Sequence, residues 1–89
     1  MNGPLVIICR GPFPELDGQY LVSSDVDANA GRGATVWSPD LADAKQFDTF
    51  IDAMQCWTEQ STVQPYRDDG QPNKPLTAYS IEPMEVSKL

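Results

Sequence analysis

Asp25, Asp27 and Asn29 place side-chain oxygens at the first, third and fifth positions of a polar run, the spacing at which a calcium loop begins. Such a loop also needs glycine at its sixth position and a bidentate glutamate at its twelfth, and Ala30 and Val36 stand there. A hairpin connection whose Asp and Asn side chains bond their own backbone accounts for the same residues. Asp68 and Asp69 form a second acidic pair, between Arg67 and Gly70. Paired acids can hold magnesium with phosphate or divide acid and base roles, and they equally suit a solvated turn. The sequence contains no histidine, so Ser-His and Cys-His pairs cannot be built within the chain, and its two cysteines do not fill a four-ligand zinc site. Cys9 and Cys56 have apolar neighbours and read as unreactive thiols, free rather than bridged. Gly31-Arg32-Gly33 lacks the further glycines and the lysine of phosphate-cradling loops. Enzyme readings are left with carboxylates alone; no cofactor and no resident metal is expected.

The elements that must position these residues follow from pattern. Leu5 to Cys9 is a continuous apolar run between Pro4 and Gly11-Pro12, the pattern of a strand buried on both faces. Two prolines and Asp17-Gly18 make a connection of the next segment. Gln19 to Ser24 alternates, with Tyr20 and Val22 on one face. After the turn at Gly31-Arg32-Gly33, Ala34 to Trp37 forms a third strand, so the first three strands read as a meander.

Ser38-Pro39-Asp40 carries helix-start chemistry. A single helix over 39–60 fails on angle: at about 100° per residue Asp43 would enter the stripe of Phe47, Phe50, Ile51, Met54 and Trp57. A break near Phe47-Asp48 predicts a short helical turn over 39–46 and a main helix over 49–60, capped by Asp48. On that helix Asp48, Asp52 and Glu59 fall within about 40° of one another, away from the aromatic stripe. Residues 61–75 read as a long loop, and 76–86 as a last strand in which Pro83 demands a bulge or an edge.

The expectation is therefore one α+β domain spanning 1–89. An antiparallel sheet of about four strands, in the order β-β-β-α-β, should pack one face on the main helix. Its core should include Val6, Ile8, Tyr20, Val22, Val36, Phe47, Ile51, Met54, Tyr79 and Ile81. So thin a core is compatible with a homodimer formed through an exposed strand edge.

Six bases against thirteen acids leave the 89-residue chain at −7. That charge argues against direct binding to nucleic acid or to an anionic membrane and favours a basic partner. The five-residue run Leu5 to Cys9 is shorter than the roughly 7 residues of a secretory core or the roughly 20 of a membrane span, so a cytoplasmic protein is expected. Acids opposite an aromatic stripe usually make only a wet surface. Their functional reading is that Asp40, Asp43, Asp48, Asp52 and Glu59 imitate a run of phosphates and occupy a basic groove. Trp57 and Tyr66 are candidate anchors, although tryptophan at helical spacing commonly belongs to the core.

At Trp37, Ala44, Phe47, Ala53 and the run Arg67-Asp68-Asp69-Gly70-Gln71-Pro72-Asn73-Lys74-Pro75-Leu76-Thr77-Ala78-Tyr79-Ser80, the chain resembles small proteins encoded by bacteriophages and prophages. Small acidic phage proteins of this kind are similar to inhibitors of bacterial defence, anti-CRISPR proteins among them, some of which mimic DNA. The resemblance implies a non-enzymatic protein that binds and inhibits a nucleic-acid-processing complex in the host cytoplasm. Its partner would be a basic host protein or nucleoprotein. The alternative is a small-ligand or metal-binding protein, or an enzyme, built on Arg67, Asp68, Asp69 and Asn73. There arginine would grip a phosphate or carboxylate while the aspartates position a metal or a proton. The same loop also suits a structural clasp, with Asn and Asp bonding loop amides.

Overall fold

A computed structural model describes residues 4–89. β1 is Leu5–Gly11, and Leu5 to Cys9 within it are all buried, as an unbroken apolar run requires. β2 (Tyr20–Asp25), β3 (Ala34–Ser38) and β4 (Ser80–Glu85) complete an antiparallel sheet in the order β3-β2-β1-β4. The first three strands form the expected meander, and β4 crosses to the free side of β1. With the main helix, Phe50–Trp57, packed on one face, the fold is α+β.

β1 and β2 pair only at their connected end. Ile8 lies opposite Tyr20, Cys9 N donates to Gln19 O (2.9 Å) and Gly18 N donates to Cys9 O (2.8 Å). Beyond Tyr20 the strands part and Lys45–Phe47 enters between them. Lys45 N donates to Leu21 O (2.9 Å), while Leu5 and Phe47 exchange two backbone bonds of 2.8 Å each. The wedge thus supplies partners for backbone groups that the splayed strands would otherwise leave unpaired. It also carries the Phe47 ring into a core with Ile7, Leu21, Ala53 and Leu76, surrounded by Trp37, Met54, Cys56, Trp57, Tyr79 and Ile81.

Several expectations need correction in phase. Of the expected core, Val6, Ile8 and Phe47 are buried, and Tyr20, Val22, Met54, Tyr79 and Ile81 are half-buried. Val36 and Ile51 are instead 53% and 65% exposed. A bulge in β2 between Leu21 and Ser23 sets Leu21 opposite Trp37 and Ser23 opposite Val36, so Leu21 and Trp37 turn inward. The helix is likewise rotated. Ala53, fully buried, is the close-contact residue of its inner face, which leaves Ile51 outside and Phe50 at the margin with 55% exposure.

Caps also moved. Thr49, not Asp48, caps the main helix, its hydroxyl accepting from Asp52 N (3.1 Å). Helical geometry ends at Trp57, three residues short of the expected end, where Thr58 Oγ1 donates to Met54 O (2.8 Å). The turn expected over 39–46 is a single 3-10 turn, Leu41–Asp43, capped by Asp40 through Ala42 N (3.0 Å). Ser38 Oγ instead accepts from Asp40 N (3.1 Å) and donates to Asp43 Oδ2 (3.0 Å). The last strand begins at Ser80 rather than Leu76, because Pro75–Ala78 closes a 3-10 turn first, with Thr77 Oγ1 donating to Lys74 O (2.6 Å). Pro83 takes the edge position expected of it, in β4 opposite Ile7. Cys9 and Cys56 are free thiols.

Candidate functional site

All five acids expected on the binding face, Asp40, Asp43, Asp48, Asp52 and Glu59, are exposed. They do not share a helical face. Only Asp52 lies within the helix; Asp48 precedes the cap and Glu59 follows Thr58. An eight-residue helix is about 12 Å long, so Asp48 and Asp52 at its start stand roughly that far from Glu59. Asp40 and Asp43 belong to the preceding 3-10 turn. The described residues form two ion pairs, Arg10–Glu82 (2.9 Å) and Glu85–Lys88 (3.5 Å), so none of the five acids is neutralised by a cation in contact. Lys45 interrupts the row, its ammonium 5.5 Å from the centre of the Phe47 ring. Of the candidate anchors, Trp57 packs on the core and donates through Nε1 to Tyr79 O (3.1 Å), whereas Tyr66 is exposed.

The second candidate, the long loop, is ordered by two clasps. In the first, the Asp27 carboxylate accepts from Thr62 N (2.7 Å), Thr62 Oγ1 (2.8 Å), Ser61 Oγ (3.0 Å) and Val63 N (3.3 Å). The Thr62 amide foremost, then the Thr62 hydroxyl, hold the Asp27 carboxyl below its ordinary value of 3.8; partial burial opposes them, and Ser61 and Val63 add to the lowering. Asp25 accepts from Asp27 N (3.0 Å) and Asn29 donates to Gly33 O (3.2 Å), so the residues with calcium-loop spacing bond their own turn and the neighbouring loop.

In the second clasp, Asn73 Nδ2 donates to Gly31 O (2.6 Å) and Gln64 O (2.8 Å). Between the clasps the loop folds back on itself as a small hairpin. Tyr66 bridges Pro72, Arg67 N donates to Gln71 O (2.8 Å) and Gly70 N donates to Arg67 O (2.9 Å). Asp69 closes the tip by accepting from Gln71 N (3.0 Å). This is the structural-clasp arrangement for Asp69 and Asn73.

Close backbone approach seats the loop on the turn of Ala28–Gly31, whose Asn29 and Ala30 have left-handed φ of 55° and 60°. A side chain at Gly31 (φ +90°) would collide with Gln64 Cβ, and one at Gly33 (φ +85°) would come within 2.6 Å of Pro75 Cβ. Two adjoining depressions result, of about 410 and 230 Å³. Arg32, Arg67 and Asn73 line both; Asp68 borders the larger and Lys74 the smaller. Of the expected loop set, the structure therefore brings Arg67, Asp68 and Asn73 together and leaves Asp69 at the hairpin tip.

Sequence reasoning missed Arg32 and Lys74 as neighbours of Arg67, and it placed Asp27 in a turn without the distant donors that it binds. An arginine held between two glycines was a signal for the first, since paired glycines often mark close backbone approach. For the other two no local signal existed. Comparison with protein-family models, with curated proteins and with solved structures yields no match to this chain.

Proposed function

We propose that this protein is a non-enzymatic binding protein that engages a basic partner through the acidic segment from Asp40 to Glu59. The partner class suggested by the phage-protein resemblance is a host nucleic-acid-processing defence complex, inhibited in the manner of anti-CRISPR proteins. The observation that carries the reading is that five exposed acids, in a chain of net charge −7, have no cation in contact among the described residues. Unpaired surface charge of one sign contributes little to folding and much to long-range attraction. Asp69 binds the loop's own backbone and Asn73 binds that of the loop and of Gly31, which weighs against an acid-base or metal pair there.

The test begins with a pull-down from host extract and mass spectrometry of what is retained, followed by affinity measurement with the purified partner. Replacing Asp48 and Asp52 by lysine adds two charges at each site, taking the net charge from −7 to −3. Affinity should fall at least about tenfold at low salt and progressively less as salt rises. Folding should change little: Asp52 sits in the first helical turn, where a charge exchange costs about 1 kcal/mol. Unchanged affinity after the reversal rejects the acidic-surface reading.

A further inference from the structure

The chain has only six cations, and three of them, Arg32, Arg67 and Lys74, border one pair of adjoining depressions. They come from separate segments, the residue that follows the Ala28–Gly31 turn and the two ends of the 67–74 hairpin arm, so their meeting is a product of the fold. Two clasps and two close glycine contacts fix that meeting. None of the three enters an ion pair among the described residues, whereas Arg10 and Lys88 both do. In a molecule with this acid excess, cations left without carboxylate partners around a concavity are out of place as mere solubilising charge.

We infer that the two depressions form a binding site for the phosphate group of a small molecule, with Arg32 and Arg67 as its main ligands and Lys74 at its margin. Arginine offers paired donors that match a phosphate's oxygens, and two arginines with a lysine match a dianion better than a single carboxylate. Asp68 borders the larger depression and opposes the anion, which limits affinity and favours a ligand seated toward Lys74. A nucleic-acid backbone is disfavoured, because its many charges would meet the rest of a −7 surface. The site shares no lining residue with the five acids, and either reading survives failure of the other.

The experiment is a titration of the intact chain with inorganic phosphate and with glycerol phosphate, followed by amide chemical shifts and by thermal melting. Ionic strength is held constant with sodium chloride, and sodium acetate and a single-stranded oligonucleotide serve as comparisons. Saturable shifts confined to the 28–33 turn and the 64–78 segment are expected, with a rise in melting temperature. Both should be at least about tenfold weaker for acetate. Arg32→Gln and Arg67→Gln should each weaken phosphate binding at least about tenfold while leaving the melting temperature without phosphate unchanged, since both side chains are exposed and unpaired. Asp68→Asn should tighten it. Phosphate shifts that do not saturate, that match those of acetate, or that persist in both arginine variants overturn the assignment. So does an oligonucleotide bound more tightly than glycerol phosphate.

Discussion

Four hydrogen bonds converge on the one carboxylate of Asp27, and all four donors come from Ser61, Thr62 and Val63. Those donors favour the ionised form and hold the folded-state pKa below that of the unfolded chain. The clasp therefore contributes its full stability above the ordinary carboxylate range and loses it as pH falls through the depressed folded value. Melting temperature should drop between about pH 5 and pH 2 more steeply in the native protein than in Asp27→Asn, which should melt lower at pH 7. Parallel pH profiles for the two would show that the clasp is not linked to this ionisation. The sequence displayed Asp27 only as a member of an oxygen-bearing triplet. Nothing near it indicated donors 35 residues away, because that pairing is made by tertiary approach and not by spacing.

At the scale of elements, the strand and helix types were legible and their rotations were not. The apolar run of β1, the glycine turn before β3, the helix after Phe47 and the edge role of Pro83 all follow from local chemistry. Which side of an amphipathic element faces inward depends on a single bulge in β2 and on how closely the helix approaches through Ala53. Alternation and helical angle do not encode either. Substitution separates the two assignments: Leu21→Ala should cost about 2–5 kcal/mol, as a fully buried leucine does, whereas Ile51→Ala should cost less than about 1 kcal/mol. Chemical denaturation measures both, and equal costs would contradict the rotation. The candidate sites divide in the same way. The acids were legible as exposed groups, but not their spread beyond the helix. Arg67 was legible as a candidate residue, but not the company of Arg32 and Lys74.

For the molecule as a whole, charge and size act together. The chain carries −7 within extents of 40 × 29 × 17 Å. At 10 mM salt the screening length, about 30 Å, reaches across most of it, and at 0.15 M it shrinks to about 8 Å. Self-repulsion of the compact state should therefore relax on adding sodium chloride, and the melting temperature should rise over that range. A fall would mean that attractive ion pairs outweigh the excess of acids. A different consequence comes from the way β1 is flanked. Its neighbours are β2 at Ile8, Phe47 at Leu5 and, on the other side, β4, where Leu5 lies opposite Glu85. Leu5, at one end of the most apolar stretch of the chain, is thus covered by residues distant from it in sequence, and pairings of such long separation are slow to form. Until Phe47 and β4 dock, this end of β1 is an unpaired, aggregation-prone edge in any refolding chain.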